Sequence, residues 1–244
     1  MRKLLAYPLS IIYYVFFGLS LAVFHPIQWI CFNVFGYQAH KKSVDILNLF
    51  LTRCLHFLGA RYTFIVPNDI PVHVPAIIVA NHQSMNDIPP IIWFMRRFHV
   101  KFISKKELGK GLPSVSYNLR HGGSVLIDRK NPVQAVNAIK KMANYIESHN
   151  RGVVIFPEGS RSRDGNPKPF KTKGLATLLD HAPNAIVIPI TINNSWKLLQ
   201  YGKFPMGIGT HLKYTVHDTI KVSEYKSDEL IKIVEKKITE AIVL

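Results

Sequence analysis

Between Leu4 and Ala39 the chain has no Asp, Glu, Lys or Arg, and a run of that length has two destinations, a protein interior or a lipid phase. The stretch from Leu4 to Phe24 alone would reach roughly 30 Å as a helix at ~1.5 Å per residue, about the thickness of a bilayer's hydrocarbon core. His25-Pro26 interrupts the run where a straight helix continues poorly, so the spacing predicts two apolar segments joined by a bend there. Basic residues stand at both outer ends, Arg2 and Lys3 before and Lys41 and Lys42 after, and such flanks prefer the cytoplasmic side. A shallow helical hairpin over residues 1–42 satisfies both flanks. A single transmembrane anchor competes with it, and a cleaved signal peptide is disfavoured by the length of the run and the absence of a small-x-small cleavage site.

Residues 43–244 are long enough for one α/β domain. The formal charge is +16, and since only Arg2 and Lys3 precede residue 40, the basic excess belongs to this second part. Such a surface attracts anionic headgroups, phosphorylated substrates or nucleic acid. With only Cys31 and Cys54, neither a disulfide framework nor a cysteine metal site is supported. The eleven histidines show no ligand spacing, and no metal is expected.

Apolar runs alternate with amphipathic ones through this part, the pattern of strands crossed by helices. Strands are predicted at Tyr62–Val66, Ala76–Ala80, Val100–Ile103, Ser124–Ile127, Val153–Phe156, Ala185–Ile192 and His211–Val216. Helices are predicted at Val44–Leu58, from Asn131-Pro132 to about Ser148, and from Ser227 onward, where Asn or Ser can cap free amides and Pro fits a first turn. The expected architecture is a mixed, largely parallel sheet flanked by helices, preceded by the apolar hairpin.

Two strands empty into polar turns. The first leads from Ile77 through Asn81-His82-Gln83-Ser84-Met85-Asn86-Asp87 into a predicted helix. A His and an Asp five positions apart do not meet on a regular helix, but they can if His82 lies on the loop and Asp87 in the first helical turn. The carboxylate would then fix the imidazole tautomer and leave the other nitrogen as a base. On this spacing alone, a loop His beside an unrelated helix-start Asp is the favoured reading. The second strand ends at Phe156-Pro157-Glu158-Gly159-Ser160-Arg161-Ser162, where Gly159 admits close backbone approach and Arg161 offers a fork of donors. From Arg161 to Lys173 five basic residues face the single acid Asp164, which alone reads as a solvated loop.

Taken in order, Asn-His-x4-Asp at His82 and Asp87, Gly-x-x-x-Ile-x-Arg at Gly123 to Arg129, Phe-Pro-Glu-Gly-Ser-Arg-Ser at Phe156 to Ser162, and Ile186-Val187-Ile188-Pro189-Ile190 resemble the four motifs of the glycerolipid acyltransferases. The resemblance is strongest to bacterial 1-acyl-glycerol-3-phosphate acyltransferases and covers roughly Ala76 to Ile192. That family usually has Thr where Ser160 stands and often Phe where Leu126 stands. By this resemblance His82 is the general base and Asp87 its orienting partner. Arg129, Glu158, Gly159, Ser160 and Arg161 belong to the acceptor site, with Lys105 a further phosphate-side lysine. It implies transfer from an acyl-carrier-protein or coenzyme A thioester to a lysophospholipid, with no cofactor. The enzyme would work on the cytoplasmic face of an anionic membrane, the bacterial inner membrane, without a nucleic-acid partner. Glycerol 3-phosphate or another lysophospholipid is the alternative acceptor. A non-catalytic basic membrane-binding protein is the alternative class, and a serine hydrolase using Ser84 lacks the Gly-x-Ser-x-Gly elbow.

Overall fold

A computed structural model describes residues 2–244. Helix α1 spans Arg2–Cys54 and runs straight through His25-Pro26. The predicted bend is therefore misplaced. Proline removes one helical donor, but Ser114 holds the helix at this point from the domain side, its hydroxyl donating to Leu21 O (2.6 Å) and its N–H to His25 Nδ1 (3.1 Å). The break in α1 is at Gly36 (φ 83°, ψ −177°), a left-handed conformation that a side chain would strain. Beyond it the chain runs back along itself. Ring pairs Phe32–His40 (5.5 Å), Phe24–Phe50 (5.6 Å) and Phe16–Phe57 (4.6 Å) straddle Gly36 at similar distances in sequence. The returning arm is the helix predicted at Val44–Leu58, so two elements expected to be separate form one broken helix.

The outer face of α1 is uncovered: Leu4, Leu5, Ile11, Val15, Leu19, Val34 and Phe35 are each more than half exposed. By length and composition this helix could cross a membrane, and an apolar surface of this extent marks an association site. Its inner face is tied to the domain by Tyr13 Oη donating to Asn86 Oδ1 (2.8 Å) and by Met206 N donating to Ser10 Oγ (2.8 Å).

The strands are β1 (Arg61–Ile65), β2 (Ala76–Ala80), β3 (Lys101–Lys105), β4 (Val125–Ile127), β5 (Gly152–Ile155), β6 (Ile186–Asn193), β7 (His211–Val216) and β8 (Ile220–Lys221). The remaining helices are α2 (Ile88–Phe94), α3 (Val115–His121), α4 (Pro132–His149), α5 (Thr172–His181) and α6 (Ser227–Glu240). The sheet order is β1-β7-β6-β2-β5-β3-β4, with β8 added to β6. From β6 to β4 all neighbours are parallel; β7 and β8 pair antiparallel with β6. The mixed, largely parallel sheet expected from the sequence is thus present. The helix predicted to begin near Asp87 is α2; the two-residue β8 and the short α3 and α5 lacked a clear pattern.

Strands β2, β5 and β6 are buried along their whole length, which explains their unbroken apolar runs. Their side chains alternate between two cores. Ala76, Ile78, Ala80, Ile188 and Ile190 face α1 and α2, whereas Ile77, Val79, Val153 and Val187 pack with Ile139, Met142, Leu178 and Val234 from α4, α5 and α6. Because β2 to β6 run in parallel, their carboxyl ends share one edge, where polar loops emerge between the two layers.

Candidate active site

Strand β2 delivers Asn81 and His82 to that edge. Asn81 is locked there by two bonds to β6, its Nδ2 donating to Ile192 O (2.8 Å) and its Oδ1 accepting from Ile192 N (2.7 Å). The chain then turns sharply. Ser84 N-caps a 3-10 turn, Met85–Asp87, accepting from Asn86 N, while the Asp87 carboxylate reaches back to the Ser84 amide in a capping box. This curl closes the five-residue gap: His82 Nδ1 lies 2.8 Å from Asp87 Oδ2.

Asp87 is fully buried. Its Oδ2 also accepts from Gln83 N (2.7 Å) and Ser84 N (2.8 Å), and its Oδ1 from the Ser195 hydroxyl. All four partners of the Asp87 carboxylate donate to it, so the His82 ring presents its Nδ1–H to Oδ2, the tautomer that leaves a lone pair on Nε2. The ring plane is fixed by stacking on Phe156, centroids 4.1 Å apart and planes 18° apart. With 15% of its side chain exposed, His82 is the reachable member of the pair.

The loop after β5 is drawn onto the same residues. Glu158 Oε1 accepts from His82 N (2.9 Å), its Oε2 accepts from Lys168 N (3.3 Å), and Ser162 N donates to His82 O (2.7 Å). Burial pushes the Glu158 carboxyl upward, against the two backbone donors that favour its charged form. At 2% exposure, with both oxygens engaged, Glu158 clamps two loops together and its carboxylate is turned away from solvent. Gly159 has φ 69°, a conformation a side chain would strain, and a Cβ there would sit 3.0 Å from Lys171 Cδ, so that the lysine would have to give way as well.

Arg129, just after β4, donates from Nη1 to Gly159 O (2.8 Å), which links the two arginine-bearing loops and leaves the rest of an exposed guanidinium free. Arg161 and Ser160 are exposed beside it; Lys168 Nζ donates to Ser160 Oγ (3.0 Å) and Arg161 O (2.7 Å). Lys105 ends β3 at the same edge, exposed and 3.3 Å from Glu107. No contact joins it to His82 or Asp87 among the described residues.

Over residues 61–193, more than half of the chain, the sequence matches the acyltransferase family model. The chain belongs to the acyltransferase family. Among relatives of this acyltransferase, the chloroplastic 1-acyl-sn-glycerol-3-phosphate acyltransferase LPAT1 of Arabidopsis thaliana is 33% identical over 172 residues, which is 70% of this chain and 46% of that protein. The 1-acyl-sn-glycerol-3-phosphate acyltransferase of Salmonella typhimurium is 25% identical over 208 residues, 82% of each chain. The chain spans less than half the length of the plant relatives it matches. The crystal structure of the 1-acyl-sn-glycerophosphate acyltransferase PlsC from Thermotoga maritima shares the fold, with a TM-score of 0.81, 24% identity, and coverage of 98% of this acyltransferase and 95% of that chain.

Three residues that sequence reasoning passed over complete the site. Gln83 Oε1 accepts from Ser195 N (2.9 Å), Ser195 secures Asp87, and Lys168 organises the basic loop. Ser195 and Gln83 stand far apart in sequence, so no local spacing announces them; a serine just past a fully buried strand end was the available signal. Ser195→Ala would leave Asp87 Oδ1 without its donor in a buried site. The expected loss is about 1–3 kcal/mol of stability, measured by denaturant unfolding, with turnover falling less than on removal of His82.

Proposed function

We propose that this chain transfers a fatty acyl group from a thioester to the free hydroxyl of 1-acyl-glycerol-3-phosphate, forming phosphatidic acid. The observation that carries the reading is the His82–Asp87 contact, with Asp87 saturated by donors and His82 Nε2 open at the sheet edge. Family membership supports acyl transfer, and the activity named for the Arabidopsis and Salmonella relatives supports this acceptor.

A thioester carbonyl is already activated, whereas a hydroxyl is a poor nucleophile at neutral pH. His82 Nε2 takes the hydroxyl proton as oxygen attacks the carbonyl carbon, and Asp87 stabilises the resulting imidazolium. When the tetrahedral centre collapses, the new C–O ester bond is kept, the C–S bond breaks, and the proton passes from His82 to the thiolate. The carrier is acyl carrier protein or coenzyme A. Ser84 is fully buried and occupied in capping, which supports direct transfer without an acyl-serine.

Arg129 and Arg161 bind the acceptor phosphate, with Ser160, Gly159 and Lys105 around it. Glu158 serves this site by holding its two loops in register. The apolar face of α1 lies in the cytoplasmic leaflet of a membrane, so lysolipid and product need not leave the lipid phase, and the basic surface faces anionic headgroups.

The phosphate assignment is tested by acceptor kinetics. Arg129→Ala or Arg161→Ala removes charge-assisted bonds worth ~1.5–3 kcal/mol, so the acceptor KM should rise about tenfold to hundredfold while the donor KM changes little. Lysine at either position should rescue poorly, since a point charge does not reproduce the guanidinium fork. Unchanged acceptor KM in both variants would remove the phosphate from this edge, and a preference for glycerol 3-phosphate in the same assay would change the acceptor.

A further inference from the structure

The loop from Gln200 to Met206, between β6 and β7, lies along one flank of the first turns of α1. Lys3, Tyr7 and Tyr14 share that flank at helical spacing, and each of them meets the loop. Lys3 Nζ stands 5.7 Å from the centre of the Tyr201 ring, Tyr7 meets Phe204 edge to face (centroids 5.4 Å apart), and Tyr14 Oη donates to Lys203 O (2.5 Å). The bond from Met206 N to Ser10 Oγ fixes the end of the loop against the helix.

The rings of this loop are uncovered. Tyr201 and Phe204 are 36% and 49% exposed, Tyr7 and Tyr14 beside them are exposed too, and together they border the stripe of Leu4, Ile11 and Val15. The apolar surface of α1 therefore continues onto the loop. Its charge is one-sided: residues 1–44 and 181–217 contain no Asp or Glu, whereas Lys3, Lys197 and Lys203 stand on or beside the loop. Aromatic rings and lysines at the margin of an apolar surface settle at the headgroup level of a bilayer, the rings at the boundary and the ammonium groups toward anionic lipid. A second copy of this chain would bring an equally basic flank against the loop, which charge repulsion opposes. The loop also connects to the site, because the 3-10 turn Ser195–Leu199 leads into it from Ser195, whose hydroxyl holds Asp87.

We propose that the Gln200–Met206 loop is a second membrane contact, seating Tyr201, Lys203 and Phe204 in the headgroup layer of an anionic bilayer beside the first turns of α1. This rests on the reading that the apolar face of α1 lies in lipid, and it adds an orientation to that reading. A helix alone leaves the domain free to roll about the helix axis, whereas a second contact on its flank removes that freedom. The contact stands at the end of α1 where Tyr13 reaches Asn86, so the bilayer is held at the His82 edge of the sheet and away from the Gly36 end.

The test uses the unaltered full chain reconstituted in phosphatidylglycerol vesicles that contain a phospholipid with a photoactivatable diazirine near its headgroup. After irradiation, lipid adducts are mapped by mass spectrometry. Adducts are expected on the first turns of α1 and on residues 200–206, with none on α6, which packs on the other face of the sheet. Adducts on α1 with none on the loop would overturn the proposal and leave the reading of α1 intact; adducts on neither would overturn both. A dimer joined through residues 200–206 would overturn it as well, by making a second copy the occupant. In the double variant Tyr201→Ser, Phe204→Ser the loop adducts should fall several-fold while those on α1 persist. Its KM should rise several-fold for an acceptor presented in vesicles and stay unchanged for a short-chain, water-soluble acceptor. Equal shifts for the two acceptors would overturn the orienting role.

Discussion

His82→Ala lowers acyl transfer by about 10²- to 10⁴-fold, the range a single positioned base contributes, while the melting midpoint stays close to that of the unaltered protein. The fold survives because the loop is held by backbone groups: His82 N and O keep their bonds to Glu158 and Ser162, and Asp87 keeps three of its donors. What disappears is the lone pair on Nε2. Added imidazole, stacking where the ring lay on Phe156, should restore part of the rate. Comparing initial rates with thermal melts separates a lost base from lost structure, and near-normal turnover would remove His82 from the mechanism.

Asp87→Asn falls by a similar order, for a different physical reason. The amide oxygen can take the place of Oδ2 and accept from His82 Nδ1, Gln83 N and Ser84 N, and the amide nitrogen can then donate to the Ser195 hydroxyl oxygen. Geometry and tautomer are kept, but the negative charge facing the imidazolium is gone. In a buried site that charge is weakly screened, so its loss raises the barrier to proton transfer. The expected signature is a large fall in kcat with an acceptor KM within a few-fold of normal. Asp87→Ala adds a stability loss, since it leaves two backbone donors and the Ser195 hydroxyl unpaired in the interior.

The parts of the molecule legible in the sequence are those written in short-range patterns. Strands β2, β5 and β6 are buried on both faces and read as unbroken apolar runs, and α4 announces itself through Asn131, whose side chain accepts from Gln134 N as a cap. His82 and Asp87 are five residues apart, so a loop followed by a capped turn was enough to imagine their meeting. Contacts spanning the chain were not legible. Ser195 reaches Asp87 only because β6 lies beside β2, and Arg129 reaches Gly159 only because β4 and β5 flank β3. The break in α1 was misread because Pro26 looks like a stronger interruption than Gly36. Tertiary bonds from Ser114 hold the helix beside the proline, whereas Gly36 alone tolerates the left-handed turn.

The central claim, His82-dependent acyl transfer to lysophosphatidic acid, is tested most directly by mass-spectrometric product analysis with purified full-length protein, 1-acyl-glycerol-3-phosphate and an acyl thioester in mixed micelles. The account predicts phosphatidic acid formed in step with released thiol, no acyl group retained on the protein, and a rate reduced at least ~10²-fold in His82→Ala. Thiol release without phosphatidic acid, or the same yield and rate from the His82→Ala chain, would contradict it.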